Sequence, residues 1–146
     1  MLADILTEAV TAQWDAEPAE QAALRVAGCR GEAAGAAERD RVRPGRLGPE
    51  RGLTVAAAGL EPYGFEPQRT APTLVRLLNC PFHALAVKAP ELVCGINHAF
   101  LTGYLRGLGS DTTTAVLAPR PGVCCVELRA LKPGDSPSAG DSGCGR

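Results

Sequence analysis

Between Pro90 and Gly109 the chain carries its clearest helix signal, and on each side of it stand two strand-like segments joined by a turn. Pro90 suits the first helical turn, Glu91 complements the positive end of the helix dipole, and Gly107 and Gly109 supply the stop. Leu92, Ile96, Ala99, Phe100, Tyr104 and Leu108 recur at three- and four-residue steps and form the predicted buried face. Ahead of it, residues 63–70 and Leu74–Leu78 read as two strands turning at Thr70–Pro72, with Pro67 favouring a sheet edge. Behind it, Ala115–Leu117 and Cys124–Leu128 read as two more, turning at Pro119–Gly122.

The N-terminal third is helical in pattern. Leu2, Ile5, Leu6, Ala9, Val10, Gln13 and Trp14 make one amphipathic stripe, and Glu20–Ala37 is rich in Ala, Glu and Arg, with Gly28, Gly31 and Gly35 weakening it. A short apolar segment, Leu53–Leu60, reads as a third helix. The expected class is α+β: N-terminal helices and a four-stranded antiparallel sheet of two hairpins flanking one long helix. The expected organisation is one domain over 1–130. Within it, 1–38 is a helical dimerisation region, 39–52 an Arg/Pro/Gly linker and 53–130 the cysteine-containing core. A Pro/Gly/Ser-rich tail, 131–146, is expected to be disordered.

Composition narrows the function classes. Alanine supplies 24 of the apolar residues and the chain has three Phe, two Tyr and one Trp, so the core is modest. A formal net charge of −1 gives no general attraction to phosphate, and direct DNA binding by this chain is not expected. The five arginines of 39–52 have no interleaved aromatic and read as a solvated loop. No run of apolar residues is long enough to span a bilayer and no basic leader precedes Leu2, so the expected location is cytoplasmic, without a membrane partner.

Six cysteines in a reducing compartment point to buried packing, metal ligation or redox chemistry rather than a disulfide framework. Cys80, Cys94, Cys124 and Cys125 are grouped within the core region. They are the candidate cofactor-binding residues, with His83 as a supplementary metal ligand and His98 one turn beyond Cys94. Adjacent strand residues point to opposite faces, so only one of Cys124 and Cys125 is expected at a shared site. Cys29 and Cys144 read as incidental. C-x2-4-C knuckles of a zinc ribbon are absent, as are the common hydrolase, phosphate-binding and dinucleotide motifs. A Cys80/His83 nucleophile pair lacks a third orienting group, so no catalytic residue is assigned and the chain is not expected to be an enzyme.

The runs Asn79-Cys80-Pro81-Phe82-His83-Ala84-Leu85-Ala86 and Pro90-Glu91-Leu92-Val93-Cys94-Gly95-Ile96-Asn97, with Pro119–Val126, resemble the C-terminal sensor domain of ArsR-like winged-helix transcriptional regulators. That group includes the iron–sulfur-sensing repressors of the Suf operon, and the methanogen output domain is its stand-alone relative. The resemblance covers roughly residues 53–130. It implies an iron–sulfur cluster, or alternatively zinc, held by Cys80, Cys94 and Cys124 or Cys125, in a homodimer. Some members carry a further cysteine where this chain has Ser110, Asp111 and threonines. Members also carry a winged helix-turn-helix ahead of the region that begins here at Met1. The expectation is therefore a sensor module of a transcriptional-regulator system lacking the part that touches DNA. The competing expectation is a small-molecule-binding or protein-interaction module whose cysteines are structural.

Overall fold

The computed structural model describes residues 1–121, 123–137 and Cys144. Among the described residues five helices and four strands follow in the order α1 (Leu2–Thr11), α2 (Ala19–Val42), α3 (Pro49–Leu60), β1 (Pro67–Ala71), β2 (Leu74–Leu77), α4 (His83–Lys88), α5 (Pro90–Leu108), β3 (Thr113–Leu117) and β4 (Val126–Ala130). A 3-10 turn, Glu61–Tyr63, leads from α3 towards β1. The strands form one antiparallel sheet in the order β1-β2-β4-β3. Each hairpin closes on itself, and β2 then pairs with β4 through Val75 opposite Leu128, which joins the hairpins into one sheet. Pro67 lies on the edge strand β1, where its missing N–H interrupts no ladder. The α+β class is thus as expected.

Alternation places Val75 and Leu77 of β2, with Ala115 of β3 and Val126 and Leu128 of β4, in the interior. They meet Phe65, Leu53 and Leu60 from the α3 region and Ile96, Phe100, Tyr104 and Leu108 from α5 in one core. Helix α5 is buried over more than the predicted stripe, since Leu101 and Leu105 are also shielded whereas Leu92 and Ala99 are half-buried. The reason is that α2 lies along one side of it and β3 along another.

The α2–α5 contact is made backbone to backbone. A Cβ added at Gly31 would run into the Phe100 carbonyl, one at Gly35 into that of Tyr104, and one at Gly107 into that of Glu32. The glycines that lower the helix propensity of α2 are therefore what lets it approach α5. An ion pair between Arg106 and Glu32, at 2.9 Å, closes one edge of the seam.

The linker expected over 39–52 is shorter. Helix α2 continues to Val42 and ends on Arg43 in the left-handed region at φ 49°, while Pro49 opens α3 at its first turn. Between them Pro44 and Leu47 are buried, so the connection packs against the core. The start of the expected disordered tail is likewise held. Leu131 N–H donates to the Thr112 carbonyl at 2.8 Å, and a turn closes from Lys132 to Asp135. The rest of that expectation, over 138–143 and 145–146, lies outside the described residues, as does Gly122 of the predicted Pro119–Gly122 turn. No helix among the described residues is long and apolar enough to cross a membrane.

Candidate functional site

The site is assembled where β2 ends, α5 begins and β4 is about to start. Beyond Leu77 the chain leaves the sheet. Leu78 N–H donates to the Glu66 carbonyl at 2.8 Å, and the Asn79 amide donates to the Gly64 carbonyl at 2.9 Å. Pro81 cannot continue a ladder, and the Cys80 carbonyl accepts the His83 N–H at 3.1 Å, so the turn leads into α4. Helix α4 then delivers the chain to Pro90 and α5. On the other side, Cys124 N–H donates to the Leu77 carbonyl at 2.9 Å, and the Cys125 carbonyl accepts Ala118 N–H at 2.7 Å. The first bond fixes the segment before β4 against the end of β2, and the second fixes it against the residue that follows β3.

The four grouped cysteines meet there as two pairs. Cys80 and Cys124 are free thiols sharing a hydrogen bond. Cys94, in the second turn of α5, pairs as a disulfide with Cys125, with Cα atoms 6.0 Å apart. The expectation that only one of Cys124 and Cys125 reaches the shared region is corrected. Both are buried and each engages one partner, because they precede β4, which begins at Val126, and strand alternation does not govern them. Cys29 and Cys144, read as incidental, form a second disulfide between α2 and the tail, with Cα atoms 5.3 Å apart.

Asn97 is the functional residue that the sequence reading omitted. It is fully buried, and its Nδ2 donates to Cys80 Sγ at 3.2 Å. Its Oδ1 is buried without a partner among the described residues. The available signal was a carboxamide on the apolar face of α5, one turn beyond Cys94.

The electrostatics separate the two free thiols. The hydrogen bond from Cys124 is the largest influence on Cys80 and lowers its pKa to about 6, against opposition from burial; the Phe82 backbone, the Asn97 amide and the charge of His83 add to the lowering. Cys124 moves the other way, because the same bond is made to its protonated form and burial disfavours its thiolate. Cys80 is thus the thiolate of the pair and Cys124 the proton holder.

His83 is exposed at the start of α4 and influences Cys80 through its charge. His98 turns elsewhere, its Nε2 lying 3.0 Å from the Ala115 carbonyl. Among the described residues no group of three or more His, Cys, Asp or Glu side chains is arranged to hold a metal ion. The Cys94–Cys125 bond occupies two of the four sulfurs, so the paired arrangement does not fit a cluster or a metal; only its reduced form offers four thiols.

A separate cavity of about 460 Å³ lies between the end of α5 and β3, lined by Leu105, Ser110, Thr113, Ala115 and Pro137 among others. No family model, no curated protein and no solved structure matches the chain.

Proposed function

We propose that the chain is a cytoplasmic regulatory sensor module, part of a transcriptional-regulator system, whose input is the redox or iron state read by Cys80, Cys94, Cys124 and Cys125. The observation that carries the reading is the convergence of four cysteines from three separate segments on one junction of the fold. Cysteines that only filled a core would not need to gather there, nor would a buried Asn97 be turned on one of them. In a reducing compartment the paired sulfurs are a state to be switched rather than a permanent brace. The reduced form is the one proposed to take up an iron–sulfur cluster or zinc, with soft thiolates as its donors. Homodimerisation through the N-terminal helices is part of the same reading, supported by Leu6 and Val10, which stand exposed on α1.

Preparing the protein without oxygen in the reduced state, and again after air oxidation, tests the proposal. Visible absorbance with bound iron, or bound zinc, is expected in the first preparation and its loss in the second. Equal, metal-free behaviour of both would overturn the ligand assignment.

The second reading is a small-molecule-binding module with structural cysteines, and the cavity between α5 and β3 favours it. Replacing Cys80 and Cys94 by Ser separates the two. The sensor reading requires loss of metal content, whereas the cavity reading requires ligand binding to persist with modest destabilisation.

A further inference from the structure

We infer that Cys80 is a hydroperoxide-reactive cysteine and that Cys124 is its resolving partner, so that the Cys80/Cys124 pair closes to a disulfide on oxidation. The inference rests on the sensor reading above and names the oxidant class and the order in which the sulfurs act.

Three observations carry it. Cys80 and Cys124 are the two cysteines left free and they are neighbours: the Cys124 N–H is bonded to the Leu77 carbonyl, three residues before Cys80, and the two thiols share a hydrogen bond. They differ in access: Cys80 is half-buried in a turn, while Cys124 is 3% exposed, so a small oxidant reaches Cys80 first. The third observation is the orphan acceptor. Asn97 directs its Nδ2 at the Cys80 sulfur, and its Oδ1 is buried with no partner among the described residues. A buried carboxamide oxygen without a partner is unfavourable, and a hydroxyl donor reaching it beside the Cys80 sulfur would relieve that. Both a hydroperoxide and the sulfenic acid formed from it carry such a hydroxyl.

The chemistry balances without a further reagent. The Cys80 thiolate attacks the terminal oxygen of the hydroperoxide. The S–O bond forms as the O–O bond breaks, sulfur is oxidised by two electrons, and the departing alkoxide or hydroxide takes up a proton to leave as alcohol or water. Cys124 then attacks the Cys80 sulfenic sulfur. The S–S bond forms, the S–OH bond breaks, and the released hydroxide combines with the Cys124 proton as water. The sum converts two thiols and one hydroperoxide into one disulfide, one alcohol or water, and a second water.

Hydrogen peroxide added in equimolar amount to the reduced full-length protein, followed by peptide mapping without reductant, tests the assignment. The first product expected is a peptide linked through Cys80 and Cys124. In Cys124→Ser the expected product is a sulfenic acid trapped by dimedone on Cys80, and in Cys80→Ser neither product forms. Three results would each overturn the inference: a dimedone adduct on Cys124 or Cys94, a first linkage between other cysteines, or thiols untouched by peroxide. Should Cys124→Ser fail to fold, the order of linkages in the wild-type protein decides alone. Metal content is measured on the same samples: bound metal without Cys80 oxidation rejects this inference and leaves the sensor reading standing, and the converse rejects the cluster.

Discussion

The Asn97 side chain, buried in the middle of the α5 contact surface, donates to Cys80 Sγ across 3.2 Å from a helix 17 residues further along the chain. This bond links the first turn after the β2 hairpin to the helix that organises the core, and it is made to the sulfur whose thiolate the site favours.

Alkylation of Cys80 therefore has a testable pH dependence. A lowered pKa means that the folded site favours the thiolate. Reactivity is present above pH about 6 and is lost as the pH falls through it, whereas an ordinary thiol gains reactivity near pH about 8.5. Iodoacetamide labelling of Cys80, followed by mass spectrometry across that range, should show the lower midpoint. Cys124→Ala should raise the midpoint most and Asn97→Leu less, following the order of the two hydrogen bonds. A wild-type midpoint near the ordinary thiol value would sink the assignment.

Alanine at Gly35 and at Gly28 should have opposite consequences. At Gly35 a Cβ would lie 2.7 Å from the Leu108 backbone nitrogen and 2.9 Å from the Tyr104 carbonyl carbon, and no side-chain rotation relieves a clash with backbone. A loss of about 1–3 kcal/mol is expected from overpacking. At Gly28 the nearest atom, the Ala99 carbonyl oxygen, is 3.7 Å away, and alanine gains about 0.5–1 kcal/mol of helix propensity. Urea unfolding of the two variants should give midpoints on opposite sides of wild type.

Gly59 and Tyr104 should behave as a coupled pair. A Cβ at Gly59 would collide with the Tyr104 hydroxyl, which is buried and donates a long bond of 3.4 Å to the Ala56 carbonyl. Tyr104→Phe alone is expected to cost about 0.5–1.5 kcal/mol. In that background Gly59→Ala should be milder than in wild type, with a coupling energy of about 0.5–3 kcal/mol in a double-mutant cycle. Strict additivity would refute the contact.

Glu127 should matter more than its place on a strand suggests. Its side chain is 4% exposed and pairs with Arg129, with Arg76 Nε at 3.9 Å. Glu127→Gln removes the charge from between two arginines and is expected to destabilise by about 1–3 kcal/mol. Thermal unfolding should report the loss, and an unchanged midpoint would show that solvent screens the group.

The sequence was readable where short-range chemistry decides the outcome. Helix α5 starts at Pro90 and stops at Gly109, which adopts φ 78°, and both hairpins were visible from alternation and turn residues. Where tertiary packing decides, the reading went astray. Arginines, prolines and glycines made 39–52 look like a linker, yet burial of Pro44 and Leu47 holds the segment down. Gly31 and Gly35 counted against a helix until α5 was seen to need their missing side chains. His83 was singled out only as a supplementary metal ligand, and the helix that it begins was not foreseen. Cysteine spacing brought four sulfurs to one region but carries no information about pairing, which depends on the Leu77–Cys124 and Ala118–Cys125 backbone bonds.

The glycine seam also limits how α5 can move. Carbonyls of one helix sit in the notches of the other along Gly31, Gly35, Gly103 and Gly107, so α5 has no smooth track along α2. Longitudinal movement would have to jump a whole notch, about 5.4 Å for one helical turn, and would tear the Arg106–Glu32 pair as it went. The two helices therefore act as one lever. Any displacement of α5 against the sheet takes α2 with it, and α1, which packs on α2, as well.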